Sequence, residues 1–162
     1  MANLKQIEKH LETLRLPYEV VDLNEEAYTV DDVVKSGINP DEVVKTLVIR
    51  GTKSTISTKG MRGFIALALR GNDRVDFKKV RAKFSSKSEL ARPDEVLKVI
   101  GVPVGAVCPI LVGVPLYIDR KVMKLENVHM GSGDLMHGLE MKLTDLLSAI
   151  GDYQLDDFSV SV

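Results

Sequence analysis

Val43-Val44-Lys45-Thr46-Leu47-Val48-Ile49 is β-branched and apolar apart from Lys45 and Thr46, and reads as a strand. After Gly51 a hairpin-like pair follows, its strongest strand being Phe64-Ile65-Ala66-Leu67-Ala68-Leu69, which Gly71-Asn72-Asp73 stops. Outward from this centre, helices and strands come in no regular order. Upstream, Leu4, Ile7, Leu11 and Leu14 recur at helical spacing until Pro17, predicting an amphipathic helix over residues 3–16 with its apolar stripe in the core. Tyr18 to Leu23 alternates weakly as a strand, and Thr29 caps a short helix through Lys35 that Gly37 ends, ahead of a turn at Ile38-Asn39-Pro40-Asp41. Downstream, Phe77, Val80 and Phe84 give one apolar face to a helix over Asp76 to Phe84. Pro93, followed by Asp94 and Glu95, opens a helix that runs to Ile100 and stops at Gly101. Ile110 to Ile118 reads as a strand and Asn127 to Met130 as a shorter one. A glycine loop at Gly131-Ser132-Gly133-Asp134 precedes Gly138 to Leu143, and Thr144 caps a last helix that Gly151 ends. Strands and helices mixed without βαβ alternation predict an α+β class: a single domain over residues 1–162, with a mixed, largely antiparallel sheet flanked by short helices.

At 162 residues, with 44% hydrophobic and 28% charged residues, the chain has ordinary globular usage. No apolar run approaches the ~20 residues a membrane span needs, and the charged amphipathic start is unlike a signal peptide, so a cytoplasmic protein without membrane partners is expected. The single cysteine, Cys108, excludes an internal disulfide. His10, His129 and His137 show no metal-ligand spacing, so neither a metal nor a cofactor is expected. Net charge is −1, but eight basic residues against three acidic ones lie between Arg70 and Arg92. Lys78, Lys79, Arg81, Lys83 and Lys87 therefore offer either a phosphate-binding face or a solvated helix surface.

Gly101-Val102-Pro103-Val104-Gly105-Ala106-Val107-Cys108-Pro109 joins a helix to a strand and carries two glycines and two prolines. Glycine lets backbone approach a ligand and proline stiffens a loop, so the segment suits either a plain connection or a wall of backbone amides. Lys45, a charge in an apolar strand, is either a snorkelling residue or a cation at a pocket rim. Cys108 is either a small loop residue or a nucleophile with His129 or His137 as base. Of the histidines, His137 is the better site candidate because it follows a glycine loop, while His10 reads as a surface residue. Ser132 and Asp134 read as a turn or a cradle, and Asp119 as a cap or a polar pocket contact. The absence of GxGxxG, Walker, GxSxG and HExxH patterns counts against nucleotide cofactors, P-loop chemistry, serine hydrolases and zinc proteases.

Taken in order, Asn39-Pro40-Asp41-Glu42-Val43-Val44-Lys45-Thr46-Leu47-Val48, Arg70 to Asp76, Ala91 to Val96, Gly105 to Pro109, Leu116 to Asp119 and Gly131 to Gly133 resemble the YbaK/ProX aminoacyl-tRNA editing domain, from about Thr29 to Leu147. The resemblance implies hydrolysis of the ester joining a wrong, small amino acid such as alanine, cysteine or serine to tRNA, most often the tRNA for proline. The enzyme would act in trans, with tRNA and a prolyl-tRNA synthetase as partners. It implies that Lys45 meets the phosphate or ribose of the terminal adenosine, and that the loop from Gly105 to Pro109 holds the aminoacyl carbonyl. Gly101, Thr46, Ala106, Val107, Cys108, Asp119, Gly131, Ser132, Gly133 and His137 then belong to the substrate pocket. Lys78, Lys79, Arg81, Lys83 and Lys87 would meet the acceptor stem. In such a site water attacks the ester, loop amides hold the oxyanion and the ribose hydroxyl assists. Ala106 stands where many relatives have a second glycine, and Ile110-Leu111-Val112 follow Pro109 where they have another. The alternatives are a non-catalytic module of the same fold that binds a tRNA end or a synthetase, and a cysteine hydrolase unrelated to tRNA.

Overall fold

The computed structural model describes residues 3–51, 63–85 and 87–161. The segment between Gly51 and Gly63, where the hairpin-like pair was expected to begin, lies outside them. Five α-helices, two 3-10 helices and ten strands are found among the described residues. The central sheet has the order β5-β2-β3-β6-β9 and is built from β2 (Val44–Gly51), β3 (Phe64–Arg70), β5 (Ser88–Leu90), β6 (Leu116–Asp119) and β9 (Gln154–Asp156). In it β2 runs antiparallel to β3 and β5, while β6 runs parallel to β3 and β9. A second sheet orders β1 (Glu19–Asp22), β8 (His137–Lys142) and β7 (Asn127–Gly131), and a two-stranded ribbon pairs β4 (Asp73–Val75) with β10 (Ser159–Ser161), all antiparallel. The mixed, largely antiparallel architecture read from the sequence is the one observed.

Alternation along β2 and β3 assigns the two faces of the central sheet. Val44 and Val48, beside Ala66 and Ala68, join the large core cluster that also takes Ile7 and Leu11 of α1 (Leu4–Thr13) and Val96 and Ile100 of α4 (Pro93–Ile100). Ile49, Ile65, Leu67 and Leu69 face the other way, onto Val80 of α3 (Phe77–Phe84), Tyr117 and Phe158. The Tyr117 ring meets Phe84 and Phe158 edge-on at 5.1 and 5.8 Å, geometries that aromatic quadrupoles favour. α2 (Val30–Lys35) starts at a reciprocal capping box between Thr29 and Asp32.

Four local expectations change. Ile110 to Ile118 is a strand only from Leu116, because Leu111 (φ 58°) and Gly113 (φ 85°) turn the backbone through the left-handed region first. Thr144 lies inside α5 (Leu143–Ile150), whose N-cap position is Lys142 without a side-chain cap; there Leu143 N donates instead to Glu126 O at 2.8 Å. α1 ends at Thr13, leaving Leu14 at its C-terminal cap and exposed, since Arg15 takes a positive φ of 58°. His10 is half-buried rather than a free surface residue: its Nε2 lies 2.9 Å from Ala149 O, joining α1 to α5.

Candidate active site

A cavity of about 390 Å³ opens where β2, the Leu23–Val33 segment, the loop after α4 and the ends of β7 and β8 converge. Two close backbone approaches set its walls. Gly105 (φ 94°) lies so near Ala27 and Tyr28 that a Cβ there would stand 2.6 Å from Ala27 O and 2.7 Å from Tyr28 Cα. Gly131 lies equally close to Ala106 and Val107, and Gly133 N donates to Ala106 O at 2.7 Å. The two glycine loops are therefore one packed unit, a need that glycine alone meets. Among the described residues, neither Gly105 N–H nor Val107 N–H donates a hydrogen bond within the protein, and both residues line the cavity.

Lys45, Thr46, Gly105, Val107, Gly131 and His137 line the cavity as expected from the sequence. Lys45 pairs across the sheet with Leu69 and shares the face of Leu47, and its Nζ donates to Asp73 O at 2.5 Å and Gly71 O at 3.3 Å. Burial lowers its pKa against the opposing pull of Asp73. Asp73 is itself buried, and Arg70 grips it with two hydrogen bonds, Nε to Oδ2 at 2.7 Å and an Nη to Oδ1 at 3.2 Å. Burial raises the Asp73 pKa, but the Arg70 contact with the Lys121 and Lys45 charges outweighs it and leaves the carboxyl below its ordinary value. Among the described residues, buried Thr46 Oγ1 has no hydrogen-bond partner. His137 Nδ1 stands 3.3 Å from Asp134 Oδ2 but is misaligned for a hydrogen bond.

The other residues assigned to the pocket are not among those that line the cavity. Gly101 is the C-cap of α4, in the left-handed region at φ 90°. Ala106 is fully buried and donates to Pro103 O at 3.0 Å. Pro109 lines a separate cleft behind the loop with Leu111, Pro115 and Tyr153. Ser132 and Gly133 shape the turn, Ser132 Oγ donating to His137 O at 2.6 Å. Asp119 is wholly buried: it caps the 3-10 turn Arg120–Lys124 through Lys121 N and accepts from Phe158 N at 2.7 Å and Ser159 Oγ at 2.9 Å. Cys108 sits in the core with its thiol pushed up to about 12 by burial. Since the thiolate is the reactive form, Cys108 is expected to resist iodoacetamide at pH 8 in native protein and to react fully in denaturant; mass spectrometry reads both.

The basic helix α3 packs on the sheet face opposite Val44 and Val48, and acidic residues from the chain's end meet it. Lys79 pairs with Asp157 at 2.9 Å and also donates to Ser159 O, while Lys83 pairs with Asp156 at 3.0 Å. The Arg81 guanidinium lies 5.8 Å from the Phe77 ring centroid and donates to Ser88 O at 3.3 Å. Lys78 and Lys87 are exposed. Two of the five basic residues, Lys79 and Lys83, thus pair with carboxylates, and both keep exposed surface.

His129, which the sequence places behind His137 as a site candidate, also lines the cavity. It is 2% exposed, its Nδ1 lies 2.9 Å from Glu140 Oε2, and its buried Nε2 has no partner among the described residues. Its direct cross-strand pairing with Glu140 gave no signal in linear spacing. Among the described residues no group of three or more His, Cys, Asp or Glu side chains could hold a metal ion, and no helix is long and apolar enough to cross a membrane.

Over 105 residues the chain is 32% identical to a proline–tRNA ligase of Thermotoga maritima, covering 64% of this chain but only 17% of the ligase. The chain thus spans about a sixth of such ligases. It is 24% identical to the uncharacterized protein YwhH of Bacillus subtilis, covering 89% and 88% of the two chains. A solved structure described as a candidate trans-editing enzyme for prolyl tRNA synthetase shares the fold with a TM-score of 0.77 at 22% identity, covering 98% of this chain and 97% of that one. The model of the aminoacyl-tRNA editing domain matches residues 24–149, and the chain belongs to that family.

Proposed function

We propose that this chain is a trans-acting aminoacyl-tRNA deacylase of the cytoplasm, removing a small mischarged amino acid from tRNA, with the tRNA for proline as its main carrier. The observation that carries this reading is the pair of unpaired amides at Gly105 and Val107, in a cavity that the one thiol of the chain does not reach. Water attacks the ester carbonyl, the amides hold the developing oxyanion, and the C–O bond to the ribose breaks. The ribose oxygen leaves with a proton, releasing free amino acid and free tRNA. The neighbouring ribose hydroxyl orients the water, so no side-chain nucleophile, metal or cofactor is called on. The relatives named as proline–tRNA ligases support the choice of tRNA and make a prolyl-tRNA synthetase the natural partner. A separate editing site has a physical reason to exist, because an apolar synthetase pocket separates side chains differing by one methylene by only ~1–3 kcal/mol.

Lys45 holds the Gly71–Asp73 turn through its ammonium and places positive charge at the cavity lip, where the terminal phosphate or ribose would lie. Lys45→Ala is expected to lower kcat/KM by about 100-fold, since misplacing a substrate by an ångström costs that much. Cys108→Ala should keep most activity. The direct test incubates the protein at low salt with a panel of mischarged tRNAs and follows release of the amino acid. Release faster than the buffer control from at least one member is expected. Salt-sensitive tRNA binding with no release from any member would instead identify a non-catalytic module of the same fold.

A further inference from the structure

Among the described residues, two large apolar side chains that line the cavity stay exposed, Tyr28 at 49% and Leu90 at 51%, and of these only Tyr28 carries a ring. Tyr28 is held at both ends. Its N–H donates to Asp32 Oδ2 at 3.0 Å, the carboxylate that also closes the capping box of α2. Its hydroxyl donates to Glu26 Oε2 at 2.9 Å. A ring fixed in this way while still facing water has little freedom left to lose, so a flat ligand laid on it meets a small ordering cost.

The place of the ring indicates what that ligand is. Gly105 abuts the Tyr28 backbone, whose Cα and O stand 2.7 and 2.9 Å from where a Gly105 Cβ would be. With the ester carbonyl on the Gly105 and Val107 amides, the ribose that carries the ester lies beside them, and Lys45 serves its phosphate side. The remaining substituent of that ribose is its base, which lies within one sugar of the reacting carbonyl. An unpaired base presents two π-faces, and aromatic side chains are the general platform for them.

We propose that Tyr28 is the stacking platform for the terminal base of the tRNA, its ring covering the adenine while the ester sits on the Gly105 loop. This rests on the deacylase site proposed above and adds what holds the nucleoside end of the substrate. The platform and the backbone amides share one wall, so a base seated on Tyr28 also fixes the ribose, and with it the ester, against Gly105.

The experiment compares two probes that differ only in the base: 3′-amino-3′-deoxyadenosine carrying an alanyl amide, and the same amide on a ribose with hydrogen in place of adenine. Wild type should bind the adenine probe roughly 10- to 100-fold more tightly. Tyr28→Ala should bring this ratio close to one while leaving affinity for the base-free probe unchanged. Tyr28→Phe, which keeps the π-face, should preserve it. With 2-aminopurine in place of adenine, stacking should quench the fluorescence of the bound probe in wild type and Tyr28→Phe but not in Tyr28→Ala. Equal binding of the two probes by wild type, or a ratio that survives Tyr28→Ala, overturns the assignment. An equal loss on both probes in Tyr28→Ala also overturns it, since the ring would then only support the Gly105 wall. Binding of neither probe overturns it as well. The matching alanyl esters separate the two readings. A base-dependent binding ratio lost in Tyr28→Ala, with neither ester hydrolysed, would sustain Tyr28 and remove the deacylase reading. Hydrolysis of both esters at equal rates, with equal binding, would sustain the deacylase and overturn Tyr28.

Discussion

Gly105→Ala is expected to abolish measurable deacylation, with kcat/KM reduced at least about 100-fold, while the protein still folds. Two effects act together. Alanine at φ 94° carries the left-handed penalty of roughly 1–2 kcal/mol. Its Cβ would also stand 2.6 Å from Ala27 O and 2.7 Å from Tyr28 Cα, both main-chain atoms that cannot rotate away. The Ala27–Tyr28 wall must therefore move, and the Gly105 amide with it. Gly113→Ala is the matched control: it too has a positive φ, 85°, but a Cβ there meets nothing within 4 Å. It should lose stability by a similar ~1–2 kcal/mol and leave the rate alone. Equal rates in the two variants would show that the loop is a connection and not a wall of the site.

Asp119→Ala should have the largest effect on stability without touching the cavity. The substitution leaves Phe158 N–H and the Ser159 hydroxyl as buried donors without acceptors and removes the cap at Lys121 N. At ~1–3 kcal/mol for each stranded buried group, the expected loss is about 3–5 kcal/mol. For a chain of this size that is a fall in Tm of roughly 10 °C or more. Hydrogen exchange should accelerate at the amides of β4 and β10, whose ribbon Asp119 anchors through the Phe158–Ser159 backbone. Activity per folded molecule should hold, because Asp119 does not line the cavity. A selective loss of activity at unchanged Tm would return Asp119 to the pocket.

How much the chain disclosed in advance depended on whether a signal was local. β2 and β3 were legible because β-branched runs and the alternation of alanine with larger residues are local properties. The caps at Thr29 and Gly101 were legible for the same reason. The Ile110–Ile118 strand was not, since its apolar content reflects burial while Leu111 and Gly113 turn the backbone. The two ion pairs of α3 were hidden because Asp156 and Asp157 reach Lys83 and Lys79 from some seventy residues away in sequence. The surroundings of His129 were hidden for an equally physical reason: they depend on Glu140 directly across the ladder and on Gly138 having no side chain, and neither shows in the spacing of histidines. Lys45 was singled out correctly as needing a reason, but the reason observed includes two carbonyls of its own chain.

The most direct test of the central claim counts turnovers. Protein at one-hundredth the concentration of mischarged tRNA for proline, carrying serine, alanine or cysteine in separate reactions, should release many equivalents of at least one amino acid per protein molecule. Gly105→Ala prepared in parallel should release none above buffer. Release that stops at one equivalent, or proceeds equally in the Gly105→Ala protein, would contradict a catalytic site built on the backbone of that loop.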